Sequence, residues 1–360
     1  MQVINLLKEA AAQGASDVHL VPGAPPLFRI DGQLAVLPNA RPYTPQQVQQ
    51  LILELLTEQQ RAHLSQDFCV DFSVNIDNTR YRGNALFQRN GLEAVLRLIP
   101  TQIPTPDELV LPPVITDLSN LRSGLVLITG PTGAGKSTTL ACLVDLINQK
   151  RHGNIITIED PIEFVHVNKN CVISQREIGL HAANFSTALR SVMRQDPDVV
   201  MIGEMRDLET ISAAITVAET GHLVLATLHS SDAAQAVDRV IDVFPARQQQ
   251  QIRTQLADVL RVVITQTLLP RVQGRGRVAA REVMIVTPAI GNLIRTNKTH
   301  EIYAAIEMGA REGMISIGRS ITDLVKRGFI SAQEFQPHPN GHETSVPRRR
   351  ATDFMGPPTT

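Results

Sequence analysis

Tryptophan is absent from this 360-residue chain and aromatic residues make up only 4% of it, which leaves few platforms on which the bases of a single-stranded nucleic acid could stack. An excess of one charge is also missing. The 34 Lys+Arg against 35 Asp+Glu give a net charge of -1, which argues against a sequence-independent nucleic-acid binder held by phosphate neutralisation. The three cysteines, Cys69, Cys142 and Cys171, show none of the C-x-x-C pairing of a zinc or redox site, and they read as buried free thiols in a reducing compartment. No run of about 18 consecutive apolar residues occurs, so no membrane span is expected. The opening MQVINLLKEAAAQGASDVHL has neither the basic start nor the apolar stretch of a signal peptide. A cytoplasmic location is the expectation.

What is present fits a folded globular protein: hydrophobic residues are 43% and charged residues 19%, on a chain long enough for about two domains. Residues 3–12 carry apolar positions at helical spacing, and SDVHLVPGAPPLFRIDGQL reads as strand, turn and strand. Thr44-Pro45 opens a helix through VQQLILELL, and FCVDFSVNI, TRYRGNALFQ and EAVLRLIP read as strands. This first module, residues 1–99, is mixed α+β. Five prolines between Pro100 and Pro113 mark a linker. Beyond it, apolar runs (LVLIT, IITIE, VVMIGE, LVLATL) alternate with helical stretches. That pattern predicts a mostly parallel sheet covered on both faces, a doubly wound α/β core over 114–335. Its last part, from Pro245 to about Ile330, reads as mainly helical, with QQQIRTQLADVLRVVITQTL its clearest stretch and a turn at GRGR. The tail over 336–360, with five prolines and Arg348-Arg349-Arg350, lacks apolar periodicity and is expected to be disordered.

Gly130-Pro131-Thr132-Gly133-Ala134-Gly135-Lys136-Ser137 fits G-x-x-x-x-G-K-[ST] between an apolar strand and a helix, with Thr138 next in the helix. In that context the glycines let backbone N–H groups converge on phosphates, Lys136 reaches the β/γ-phosphates, and Ser137 can ligate Mg²⁺. ATP or GTP is the expected ligand. Hydrolysis needs an acid at the tip of a second strand. VVMIGEM supplies Glu204 as catalytic base, with Gly203 where a second carboxylate would stand. ITIEDPIEF adds Glu159, Asp160 and Glu163 at the end of a third strand, either as metal-side acids, with Glu163 also counted as catalytic, or as a solvated acidic turn. His222 and His229 bracket LVLAT, and each is a catalytic or a structural histidine.

Together, ASDVHL (15–20), GPTGAGKSTTL (130–140), ITIEDPIEFVH (156–166), DPDVVMIGEMRDLETI (196–211) and ETGHLVLATLH (219–229) resemble the secretion ATPases of type II secretion and type IV pili. The likeness is greatest to that family's pilus-retraction motors, which drive twitching motility. The last four segments resemble its Walker A, Asp box, Walker B and His box. The resemblance implies a PAS-like N-terminal domain, a RecA-like ATPase domain with C-terminal helices, and a homohexameric ring. It also implies Mg²⁺-dependent ATP hydrolysis, an inner-membrane pilus platform protein as partner, and a second retraction ATPase as a further one. Arg80, Arg82 and Arg97 lie where similar proteins direct basic side chains at the γ-phosphate, the alternative being solvated strand-face charges. Asp17 and His19 shape the first domain. His222 and His229 would couple the γ-phosphate to the domain interface. No tetracysteine zinc insertion or extra N-terminal domain of the extension motors is seen, which implies retraction. PAIGNLIRTNK (288–298) is similar to the retraction motors' AIRNLIRE segment, with Gly291 for its Arg and Thr296 for its Glu. An accessory ATPase dependent on a second motor, a nucleic-acid translocase and a non-catalytic nucleotide-binding scaffold are the rival readings.

Overall fold

The computed structural model describes residues 2–30, 33–37, 40–77, 79–99, 102–272 and 276–331. The tail over 336–360 and part of the GRGR turn lie outside them. Two compact units divide the chain, one formed by 1–103 together with 163–166, the other by 104–162 and 167–360.

In the first unit, helices α1 (Gln2–Ala12), α2 (Pro45–Leu55) and α3 (Glu58–Asp67) accompany strands β1 (Asp17–Leu20), β2 (Leu27–Ile30), β3 (Gln33–Val36), β4 (Cys69–Ile76), β5 (Thr79–Gln88) and β6 (Gly91–Ile99). The strands form one antiparallel sheet in the order β3-β2-β1-β6-β5-β4. The apolar stripe of α1 (Val3, Leu6, Leu7, Ala10) is buried in the unit's core. The fully buried Tyr81 hydroxyl donates to Leu7 O at 2.8 Å and ties α1 to the sheet. Thr44 and Thr57 each close a capping box with the glutamine three residues on, Gln47 and Gln60. The second of these starts α3, a helix without apolar periodicity that hydrophobic spacing alone does not predict.

The second unit holds α4 (Pro113–Thr116), β7 (Gly124–Thr129), α5 (Lys136–Lys150), β8 (Asn154–Glu159), β9 (Val172–Glu177), α6 (Phe185–Val192), β10 (Val199–Ile202), α7 (Leu208–Glu219), β11 (Leu223–Leu228), α8 (Ala233–Asp242), α9 (Ala246–Val259), β12 (Leu260–Pro270), β13 (Arg277–Ile285), α10 (Pro288–Arg295), α11 (Ile302–Met308) and α12 (Ile317–Lys326). Its sheet runs β13-β12-β7-β11-β10-β8-β9, parallel except for β13 at the edge. Alternate strand residues feed two cores. Leu125 and Leu127 pack with α6 to α11 on one face, Val126 and Ile128 with α4 and α5 on the other. That double cover is why these strands read as unbroken apolar runs.

The expectation of a mainly helical segment after Pro245 is corrected here. Helix α9 ends at Val259, and residues 260–285 are mostly the two long strands β12 and β13. The β-branched run Val262-Val263-Ile264-Thr265 packs on a pleated, buried surface beside β7, and the local helical period yields to that pairing. Among the described residues no helix is long and apolar enough to cross a membrane.

Candidate functional site

The C-terminal tips of parallel strands are where open α/β sheets present ligands, and β7, β10, β11 and β8 bring the motifs there. After β7, Gly130, Gly133 and Gly135 adopt φ of 140°, 77° and 82°, left-handed conformations that a side chain would strain. A Cβ at Gly130 would also run into the Gln266 carbonyl. The crown of the loop, Pro131 to Gly133, is exposed, Ala134 is buried, and Ser137 and Thr138 sit half-buried in the first turn of α5. Amides at that helix start converge on an anion, and the helix dipole reinforces them. Lys136 Nζ donates to Gly130 O at 2.8 Å and Pro131 O at 3.1 Å, so its ammonium lies across the loop.

A residue that sequence reading missed braces this loop. Gln266 on β12 is 1% exposed. Its Nε2 donates to Ala134 O at 2.7 Å and its Oε1 accepts from Thr139 Oγ1 at 3.0 Å. One strand residue back, the Thr265 and Thr129 hydroxyls meet at 2.8 Å. No motif marks Gln266. Its signal was a polar residue inside an apolar run, which needs buried partners once the run is read as a strand.

At the tip of β10, Glu204 Oε1 lies 3.0 Å from His229 Nε2, and Oε2 accepts from Arg206 Nη2 at 2.6 Å. His229 Nδ1 faces Lys136 Nζ at 3.5 Å. A ring nitrogen beside an ammonium must accept, and one beside a carboxylate must donate, so His229 is neutral with its proton on Nε2. Burial and then the Lys136 charge hold the His229 pKa below its ordinary value, against the pull of Glu204. For Glu204, burial would raise the carboxyl, but the Arg206 hydrogen bond, the charge His229 carries when protonated at low pH, and the Arg206 and Lys136 charges outweigh it and keep it below the usual range. Gly203 is there because space demands it: a Cβ would lie 3.2 Å from Glu159 Cα and 3.3 Å from Ile158 O. Its N–H donates to Ile158 O at 2.7 Å and its carbonyl accepts from the Thr227 hydroxyl, so β8, β10 and β11 are laced together behind Glu204. Arg206 lay within the quoted Walker B segment but without a role.

The remaining sequence candidates are dispersed. Glu159 ends β8, buried, its Oε1 accepting from Thr157 Oγ1 at 2.6 Å and Gln175 Nε2 at 3.1 Å. Asp160 is exposed after it, while Glu163 belongs to the first unit. Among the described residues no group of three or more His, Cys, Asp or Glu side chains forms a metal cage. His222 precedes β11, whose six residues span about 20 Å. It therefore lies at the opposite sheet end from the phosphate loop, its Nδ1 beside Thr220 Oγ1 at 3.0 Å and Val217 O at 3.1 Å. Within one chain it is not part of the phosphate site. Arg80, Arg82 and Arg97 share one face of the first unit's sheet, Arg82 directly opposite Arg97. Arg97 Nε donates to Asp17 Oδ1 at 2.8 Å and Arg80 Nη2 to Ser73 Oγ at 3.0 Å. Asp17 is 4% exposed; burial would raise its carboxyl, yet Ser16, Arg97 and Arg29 hold it below the usual range.

Residues 1–336 match the family of type II/IV secretion system proteins, and the chain belongs to that family. It is similar to the type IV pilus retraction ATPase PilT of Pseudomonas aeruginosa, 47% identical over 334 residues that cover 92% of this chain and 96% of that protein. A twitching motility protein of Neisseria gonorrhoeae is 41% identical over 332 residues, 92% of this chain and 88% of its own length. A crystal structure of the pilus retraction motor PilT with bound ADP matches with a TM-score of 0.87 at 43% identity, covering 94% of this chain and 97% of that one.

Proposed function

We propose that this chain is an ATP-hydrolysing motor that retracts type IV pili, working as a ring of identical copies against an inner-membrane platform protein. The observation that carries the reading is the line Lys136, His229, Glu204, a phosphate-binding ammonium and a carboxylate joined through one imidazole at adjacent strand tips. Water attacks the γ-phosphorus, the bond to the ADP oxygen breaks, and Glu204 takes the proton the water loses. Lys136 and the loop amides hold the phosphates; Arg206 and His229 fix the two oxygens of Glu204. Ser137 and, on its outer side, Glu159 or Asp160 would hold Mg²⁺. A site of one or two protein oxygens completed by phosphates and water suits that ion, and needs no cage of acids. When bound, Mg²⁺ supplies neutralisation of phosphate charge. Arg80, Arg82 and Arg97 are assigned to developing charge on the transferred group. The domain scheme is a PAS-like 1–99, a hinge at 100–113, and a RecA-like 114–335. The names of the pilus-motor relatives, at 47% and 41% identity, support the retraction assignment.

Two experiments test it. Purified Glu204→Gln should lose at least ~10²-fold in kcat while still binding nucleotide, and Lys136→Ala should lose both. Near-normal hydrolysis by Glu204→Gln would sink the base assignment. In the source organism, deletion of the gene should give abundant surface pili and no twitching, rescued by wild type and not by Lys136→Ala. A bald surface would mean extension instead, and an unchanged phenotype an accessory role.

A further inference from the structure

Arg281 stands within β13 at 3% exposed, with no acid against it among the described residues. Three of the five guanidinium N–H groups reach main-chain oxygens. Nη1 donates to Val110 O at 3.2 Å and Ala279 O at 3.5 Å, and Nη2 to Leu109 O at 3.1 Å. Nε–H has no partner among the described residues. A buried donor on a charged group is costly to leave unanswered. Burial pulls the Arg281 pKa down to about 10. The ionisable group that acts on it, Cys142, is pushed by burial up to about 12 and stays a neutral thiol, so it offers no counter-charge.

The guanidinium lines a cavity of about 520 Å³ within the second unit, a volume in the range of small-molecule pockets. Val110, Pro112, Met314 and Leu324 give it apolar walls. Helix α12 and the residue that caps it add two more cations, Arg319 and Arg327, and the one acid among the described lining residues, Asp323, is already engaged by Arg327 at 3.3 Å. Arg319 is exposed and outside every ion pair among the described residues. Ser320 Oγ accepts from the Arg281 backbone N–H at 2.9 Å, which leaves its own proton to donate. Val110 holds φ of 51°, a conformation that β-branched residues rarely adopt, and its carbonyl is fixed by the same guanidinium.

We propose that this cavity binds a small carboxylate carried on an apolar body, with the Ser320 hydroxyl as inner donor, the buried Arg281 guanidinium as the charge in its wall and Arg319 at the mouth. None of the phosphate-loop residues lines it, so it is a second site, distinct from the nucleotide's. Such a ligand supplies the counter-charge that Arg281 lacks and braces Leu109 and Val110, whose carbonyls share that guanidinium. Binding to the folded state alone then raises stability by mass action.

The test uses the full chain saturated with ADP, so that anions do not enter the 130–137 loop. Sodium hexanoate and, separately, sodium phosphate are titrated at constant ionic strength while binding heat and Tm are followed. Hexanoate should give a saturable isotherm and a rising Tm, weakened about 10-fold or more in Arg319→Glu, whose exposed side chain leaves the fold intact. Arg281→Met should abolish the response; should that variant fail to fold, recovery in Arg319→Lys relative to Arg319→Glu decides. A hexanoate response unchanged in Arg319→Glu would place binding elsewhere and overturn the proposal. So would the lack of any saturable response. Phosphate binding as well as hexanoate would overturn the apolar half of the ligand's description.

Discussion

His229 is the residue through which the phosphate-binding and water-activating halves of the site meet. A proton added at Nδ1 would face the Lys136 ammonium at 3.5 Å, and burial already disfavours the charged ring. Glu204 likewise stays ionised below the usual carboxylate range. For a base whose pKa is lowered, the neutral form persists until the pH drops beneath that lowered value. The kcat/KM of the wild type, which reports ionisations of the free enzyme, should therefore hold steady from pH 7 down through the ordinary histidine value of about 6.5 and fall only below it. A half-drop at or above that value would contradict the neutral-His229 arrangement. The sequence showed this histidine, Lys136 and Glu204 through motif spacing, because phosphate chemistry demands fixed residue types at strand tips. It did not show Arg206 as the carboxylate's second anchor, which depends on a turn geometry no spacing rule encodes. The departures Gly291 and Thr296 also become plain at this scale. A Cβ at Gly291 would meet Arg295 Nη1 at 3.5 Å and Ala257 O at 3.7 Å, ordinary contacts, so space does not impose the glycine. Thr296 caps α10 and bonds its hydroxyl to Asn292 O at 2.8 Å.

Strand β12 shows how far an element can be read without its neighbours. QQQIRTQLADV and LRVVITQTLLP run on as one helical period, and the break between α9 and β12 has no glycine or proline to announce it. What decides it is β7: Val262 to Thr265 pair with Val126 to Thr129, contacts some 136 residues apart as in Thr129 and Thr265. The same blindness hid β9, an edge strand with few buried residues. By contrast β7, β8, β10 and β11 were legible because burial on both faces makes them predominantly apolar, with only an isolated polar residue such as Thr157 or Thr227 inside the run. The pairing also gives β12 its use, since it carries Gln266 under the phosphate loop. Gln266→Met keeps the volume but leaves Ala134 O and the Thr139 hydroxyl without their partner, at about 1–3 kcal/mol for each buried group left unsatisfied. Part of that cost falls on the loop conformation that binds nucleotide, so a fluorescent-nucleotide titration should show Kd weakened by about 10-fold. Unchanged affinity would mean the loop holds its shape without β12.

At the scale of the whole molecule, stability carries the cost of Glu282, buried in β13 and accepting from Ala233 N at the start of α8 at 3.0 Å. Burial first, then Asp232 and Glu307, raise its pKa to about 7, against the lowering effect of the Ala233 hydrogen bond. A carboxyl whose folded pKa lies above its unfolded value holds its proton more tightly in the native state. Stability is thus fully present below the ordinary glutamate range and lost as pH climbs to about 7, by on the order of 3 kcal/mol from this group alone. The lowered carboxyls of Asp17 and Glu204 act in the opposite sense, but only at pH below their ordinary range, so they do not interfere between pH 5 and 8. Glu282→Gln keeps an oxygen for Ala233 N–H and removes the titration. Scanning calorimetry at pH 5 and pH 8 should find the wild-type Tm falling by several degrees more than the variant's, at about 2–4 °C per kcal/mol for a unit of this size. Parallel behaviour of the two proteins would show that Glu282 keeps an ordinary pKa in the fold, and the pH response would then have to be sought in the histidines.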